Sequence, residues 1–151
     1  MTDIRDVTPK DIPQLLVMIK ALCAFHGDTC QMGLAETQER FINGPLIGLI
    51  AYAGGQPVGY AAIEPRWRPM HPGELWDIAH LYVIEAMRGR GIGRALILAA
   101  QDKAKLAGAY KLVIGTVPEN PGAAAAYRAM GLAEISQTPG PRFEVDLDGA
   151  M

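Results

Sequence analysis

Seven residues, Arg88-Gly89-Arg90-Gly91-Ile92-Gly93-Arg94, separate two apolar segments of the 151-residue chain. Before them, residues 75–83 read as a strand. After them, residues 91–107 read as a long helix in which Ala95, Leu96, Ile97, Leu98, Ala99 and Ala100 are apolar almost all round. A helix of that kind is expected to be buried on several sides. A strand that turns abruptly into such a helix asks for a sheet to cover it, and this unit constrains the fold more than any other feature.

The flanking segments complete an α+β pattern. Residues 4–7 read as a strand, and Thr8 or Asp11 can cap the helix that follows. Ile12, Leu15, Leu16, Ile19, Leu22 and Cys23 form one apolar helix stripe that ends near His26-Gly27. Residues 37–42 suggest a weaker second helix. Strands are expected at 47–53 and 57–63 around a Gly54-Gly55 turn, then at 75–83 and 111–117. The three prolines between 65 and 73 make that stretch a loop. A helix at 122–130 and a strand pair at 132–135 and 143–147 close the chain. The expected order is βααβββαβαββ, a mixed sheet of six to seven strands with about four helices, in one domain spanning 1–151.

Composition removes several classes of function. Half of the residues are hydrophobic, which excludes a disordered chain. The formal charge of −2 speaks against a general nucleic-acid or anionic-membrane binder. Cys23 and Cys30, with three scattered histidines, make neither a disulfide framework nor a metal site. The acidic start lacks a leader pattern, and no apolar run approaches the ~20 residues of a membrane span. A soluble protein of the reducing cytoplasm is the expectation.

The glycine-arginine turn carries the candidate chemistry. Glycines let successive N–H groups face outward, and a helix start adds the positive end of its dipole. Together they suit a pyrophosphate. The dinucleotide fingerprint G-x-G-x-x-G fails because Arg94 stands where its third glycine belongs, and no Gly-Lys-Ser/Thr exists for a P-loop. The pattern R-x-x-G-x-G remains. A basic turn with a weak RNA contact is the competing reading.

Ile78-Ala79-His80-Leu81-Tyr82-Val83 followed by Arg88 to Leu96 resembles the acetyl-CoA motif of the GNAT superfamily of N-acetyltransferases. Asn120 to Leu132, with Tyr127 inside it, is similar to a second segment of that family. Residues 22–28 are loosely similar to its small-amine and polyamine branch. The resemblance implies that backbone N–H groups of Arg88, Gly89, Arg90, Gly91, Ile92, Gly93 and Arg94 hold the pyrophosphate of acetyl-CoA. It implies that the backbone at Leu81, Tyr82 and Val83 pairs with the pantetheine arm, and that an N–H near Val83 polarises the thioester carbonyl. Asn120 is then placed near the pantetheine or reacting centre, and Tyr127 is the general acid for the departing thiolate. Acetyl-CoA and an amine are the implied partners, no metal is needed, and a homodimer is compatible with similar domains.

The acceptor chemistry sets its own demands. A lysine-like amine is neutral in only about one molecule in 10³ at pH 7, a penalty of ~4.6 kcal/mol. His80 and Asp77 are the candidate proton acceptor and ammonium ligand. In a regular strand their odd separation puts them on opposite faces, so a bulge is required to unite them; similar domains carry one in this strand. Phe25, His26 and Trp67 are candidate acceptor contacts. Ala79-His80 departs from the Glu-Asp of polyamine-type relatives, which removes two carboxylates. Glu64 or Glu74 can replace them, though both also read as solvated charges. A phenol at ~10 giving its proton to a thiolate at ~8.5 is uphill by about 2 kcal/mol, so Tyr127 is expected to act first as a hydrogen-bond donor. Acetylation of a protein amine, and an acyl-CoA-binding domain without catalysis, stay open as alternatives.

Overall fold

The computed structural model describes residues 2–117, 120–136, 141 and 143–148. The chain forms two compact units, Met1–Gly115 and Thr116–Met151. The first holds a five-stranded mixed sheet in chain order: β1 (Thr2–Asp6), β2 (Ile47–Ala53), β3 (Gln56–Trp67), β4 (Glu74–Val83) and β5 (Lys111–Ile114). Neighbours are antiparallel as far as β4. β5 lies parallel to β4, a pairing that needs the crossover helix α3 (Ile92–Leu106) between them.

One face of the sheet carries α1 (Ile12–Phe25) and the short α2 (Leu34–Gln38), which runs on into a wider helical turn, Glu39–Asn43. Ile12, Leu15, Met18, Ile19 and Leu22 of α1 bury themselves with Phe41, Ile50, Tyr60 and Ala62. The spacing read from the sequence thus sets the core face of α1. Thr8 and Asp11 both mark its start, where the Asp11 carboxylate accepts the Thr8 N–H at 2.8 Å. The opposite sheet face meets α3. Gly59 leaves room there, since a Cβ on it would stand 3.4 Å from Leu96 Cδ1 and 2.7 Å from the Tyr82 carbonyl oxygen.

Four expectations are corrected. α3 is buried along one side only, at Ile92, Leu96, Ile97, Ala100 and Ala104, and leaves Leu98 45% exposed. Small alanines make the helix apolar all round without obliging it to be enclosed. β3 does not stop at residue 63 but continues through Pro65 to Trp67, because the antiparallel ladder to β4 runs as far as Trp67↔Glu74. β5 ends at Ile114, three residues early. The described residues in 132–135 and 143–147 form no strand, so the sheet has five strands among the described residues. Alternation makes a strand only where a neighbour supplies both hydrogen bonds and a surface to bury, and Phe143 and Leu147 stay 89% and 95% exposed.

The second unit contains α4 (Pro121–Ala129), which ends at Gly131 with φ 83°. No helix among the described residues is long and apolar enough to cross a membrane.

Candidate active site

The strand at the centre of the site contains one residue too many. Ala62 pairs with His80 while the next residue, Ile63, pairs with Ile78, so Ala79 has no partner on β3. The required bulge is therefore present. Glu64, Ala62 and Tyr60 alternate onto one face of β3, and their partners are Asp77, His80 and Tyr82. The extra residue puts those three on one face, the face of α1.

His80 sits in the middle of that group. Its Nδ1 lies 3.5 Å from the hydroxyl of the fully buried Tyr60, with the two rings edge to face. Burial lowers the imidazole below its ordinary value of 6.5; Glu64 pulls the other way and His26 adds to the fall, for a net downward shift. The ring is accordingly neutral at pH 7. Burial drives the Tyr60 phenol far up, so it keeps its proton. In the tautomer where Nδ1–H donates to Tyr60 Oη, Nε2 holds the free lone pair.

Asp77 faces Glu64 across the β3–β4 ladder, and one guanidinium nitrogen of Arg66 bridges them, at 2.9 Å from Asp77 and 3.2 Å from Glu64. Burial raises the Asp77 carboxyl; Arg66 opposes this only in part, and Glu64 reinforces it. Two carboxylates thus share one guanidinium beside a neutral imidazole. The sequence alone does not point to Tyr60 or Arg66, and it offers Glu64 only as a substitute carboxylate. The alternation Tyr60, Ala62, Glu64, Arg66 was the available clue, obscured by Pro65.

The ladder between β4 and β5 stops where the bulge begins, at Ile78↔Ile114. Among the described residues, 80–83 pair with β3 alone. The Ile84 N–H donates to the Val58 carbonyl at 2.9 Å. Antiparallel alternation then turns the N–H and C=O groups of Leu81 and Val83 away from β3, toward the vacated side. Their side chains lie under the start of α3, 3.9 and 4.0 Å from where a Cβ on Gly93 would stand.

Next along the chain, Gly89 and Gly91 take φ 76° and 83°, a region that side chains disfavour. Gly91 caps α3, and the first helical bond runs from Ala95 N–H to Gly91 O at 3.0 Å. The N–H groups of Ile92, Gly93 and Arg94 precede that ladder, with Arg90 and Arg94 exposed around them. Donors, dipole and charge suit a diphosphate, and an open strand edge leads into them.

Phe25 and His26 belong to this region. Their rings meet edge-on at 5.5 Å, and the Phe25 ring lies 5.5 Å from the Arg88 guanidinium carbon. Trp67 stands apart. It pairs with Glu74, on the opposite face of β3 from Glu64 and Arg66, and is 74% exposed. In the second unit, Asn120 caps α4, its side-chain oxygen accepting from the Ala123 N–H at 3.2 Å. Tyr127 projects from that helix, and burial raises its phenol.

The bulge, the strand edge beyond the β4–β5 ladder and the glycine-arginine turn suit a ligand that carries a diphosphate on an extended arm. Residues 17–132 match the acetyltransferase (GNAT) family, and the chain belongs to this family of acyl-transferring enzymes. An uncharacterised N-acetyltransferase of Methanocaldococcus jannaschii is 34% identical over 86 residues, 56% of this chain and only 38% of that relative's length. Aminoglycoside N(6')-acetyltransferase type 1 of Klebsiella aerogenes is 31% identical over 116 residues, 72% of this chain and 76% of that one. The aminoglycoside N-acetyltransferase AAC(6')-Iy, solved in complex with CoA, shares the fold at a TM-score of 0.80, with 24% identity and 96% of each chain covered.

Proposed function

We propose that the protein transfers the acetyl group of acetyl-CoA to a primary amine of a small, multiply charged amine, by direct attack within a ternary complex. The observation that carries the reading is the unpaired Ala79. That one residue places His80 beside Asp77 and coincides with the end of the β4–β5 ladder, so acceptor groups and donor edge share one segment of β4.

In this reading the pyrophosphate is held by backbone N–H groups of 89–94, with charge from Arg90 and Arg94; the Arg88 N–H donates to the Glu85 carbonyl at 3.3 Å instead. The pantetheine arm pairs along Leu81 to Val83, and the Val83 N–H donates to the carbonyl oxygen as it gains charge. Asp77 and Glu64 attract the ammonium. His80 Nε2 takes its proton, directly or through one water, which reduces the ~4.6 kcal/mol deprotonation penalty. The neutral nitrogen attacks the thioester carbon, the C–N bond forms, the C–S bond breaks, and the nitrogen's second proton passes through water to the departing sulfur. The CoA thiolate leaves with a hydrogen bond from Tyr127, whose raised pKa suits it to donate that bond rather than give up its proton. The carboxylates missing at residues 79 and 80 are supplied by Asp77 and, from the next strand, Glu64. The names of the aminoglycoside-acetylating relatives support a polyamine or aminosugar acceptor, and a reducing cytoplasm is the setting proposed for the reaction.

The test is thiol release from acetyl-CoA with monoamines, linear polyamines, aminoglycosides and a peptide bearing a free N-terminus. Turnover with the multiply charged small amines is expected. Coenzyme A binding without turnover on any amine would leave only an acyl-CoA-binding domain, and turnover confined to the peptide would make the acceptor a protein.

A further inference from the structure

Arg88 opens the R-x-x-G-x-G pattern, whose backbone N–H groups the family resemblance assigns to the phosphates. The structure turns its side chain elsewhere. Nε donates to the Val83 carbonyl oxygen at 2.9 Å. The guanidinium carbon lies 5.5 Å from the Phe25 ring centroid and 5.8 Å from that of Tyr82. A planar cation between two aromatic rings is attracted by both faces. One side chain thus joins the end of β4 to Phe25, the last residue of α1.

Both ends of this contact matter to the reaction proposed above, on which the inference rests. The Val83 N–H and C=O point to the same side of β4. With the carbonyl engaged by Arg88, that peptide is fixed and its N–H stays available. At the other end, Phe25 packs edge-on against His26, whose charge contributes to lowering the His80 imidazole. We propose that Arg88 is a positioning residue, which locks the Phe25–His26 wall of the acceptor side to the donor-side peptide at Val83, rather than a ligand of the donor's phosphates.

Arg88→Lys tests this, because lysine keeps the charge and loses both the Nε–H and the planar face. Calorimetry with coenzyme A across a salt series is expected to give a Kd within about twofold of the parent and an unchanged salt slope. The same variant should lose about tenfold in kcat/KM for the amine. Phe25→Ala should show a similar loss, and the double variant should be little worse than either single one. A coenzyme A Kd raised tenfold or more with a shallower salt slope, and amine kinetics unmoved, would make Arg88 a phosphate ligand and overturn the proposal. Additive losses in the double variant would also overturn it. If the parent chain neither binds coenzyme A nor turns over, the function proposed above fails. The clamp is then still measured as coupling between Arg88→Lys and Phe25→Ala in the urea unfolding midpoint, and zero coupling there refutes it.

Discussion

Asp11 and Asp77 are both withdrawn from solvent in the same unit, and their carboxyl groups shift in opposite directions. Asp11 is only 1% exposed. Burial pushes it upward, but five hydrogen bonds from Tyr52, Thr8 and Arg5 outweigh that and bring it down to about 2. Asp77 is less buried and has an ion pair to Arg66 that is shared with Glu64, and burial wins. Burial alone therefore does not separate a structural carboxylate from a reactive one. What separates them is whether the acceptor capacity is filled. Asp11 is committed to joining β1, the start of α1 and β2. Asp77 keeps capacity for a further cation.

The largest effect expected from this contrast is on stability. Asp11→Ala strands the Tyr52 hydroxyl and the Thr8 N–H and breaks a two-pronged arginine pair, at a cost of about 3–5 kcal/mol. Asp77→Ala should cost under about 1 kcal/mol, since Arg66 retains Glu64 and water. Urea unfolding of both variants decides it, and equal losses would break the comparison.

On activity the ranking should reverse. His80→Gln is expected to lower kcat/KM about 10²-fold with the fold intact, the usual scale for a lost general base. The base must be unprotonated, and its folded pKa lies below 6.5. The parent's kcat/KM should thus fall as pH drops through a value under 6.5, and His80→Gln should lose that limb. An acid limb kept in the variant would assign it to another group.

Acid titration separates the aspartates a third way. The folded pKa of Asp11 lies below its ordinary 3.8. Its stabilisation is therefore complete above about pH 4 and lost as pH falls through about 2, a change of about 2 kcal/mol. Asp77 has the opposite sign. Its raised pKa means the folded state favours the protonated acid, so its ionisation weakens the fold as pH rises through that value. Unfolding free energy measured from pH 5 to pH 2 should fall less steeply in Asp11→Asn and more steeply in Asp77→Asn. The same slope in both would remove the distinction.

These two sites also differ in how far the sequence exposes them. The α1 stripe, the turn at 88–94 and the caps at Thr8 and Asp11 depend on local spacing, and each is legible. The Asp11 hydrogen-bond network is not, because Tyr52 joins it from 41 residues away and Arg5 from another strand. The condition for uniting Asp77 and His80 is legible as a parity argument. Placing the extra residue at Ala79 requires the β3 register. Glu64 and Arg66 were hidden by Pro65, which argues locally against a strand, yet the β4 ladder carries β3 through it. Residues 143–147 show the reverse error: a good alternating pattern with no partner strand among the described residues.

The smallest expected effect concerns how Asp77 and Glu64 share Arg66. Two carboxylates facing one guanidinium leave one negative charge uncompensated, and an acceptor carrying a second ammonium can neutralise it. Asp77→Asn should therefore raise KM about threefold for a multiply charged amine, in keeping with a partly exposed pair. A monoamine of similar size should be unaffected, because its single ammonium must lose its proton to react and cannot also serve as the neutralising cation. Glu64→Gln should act alike. The double variant should lose more than the sum, since Arg66 is then left as an unpaired cation facing the substrate. Equal KM changes for mono- and polyamines would instead make the carboxylates a support for β3–β4 pairing, and Asp77 would join Asp11 as a structural residue.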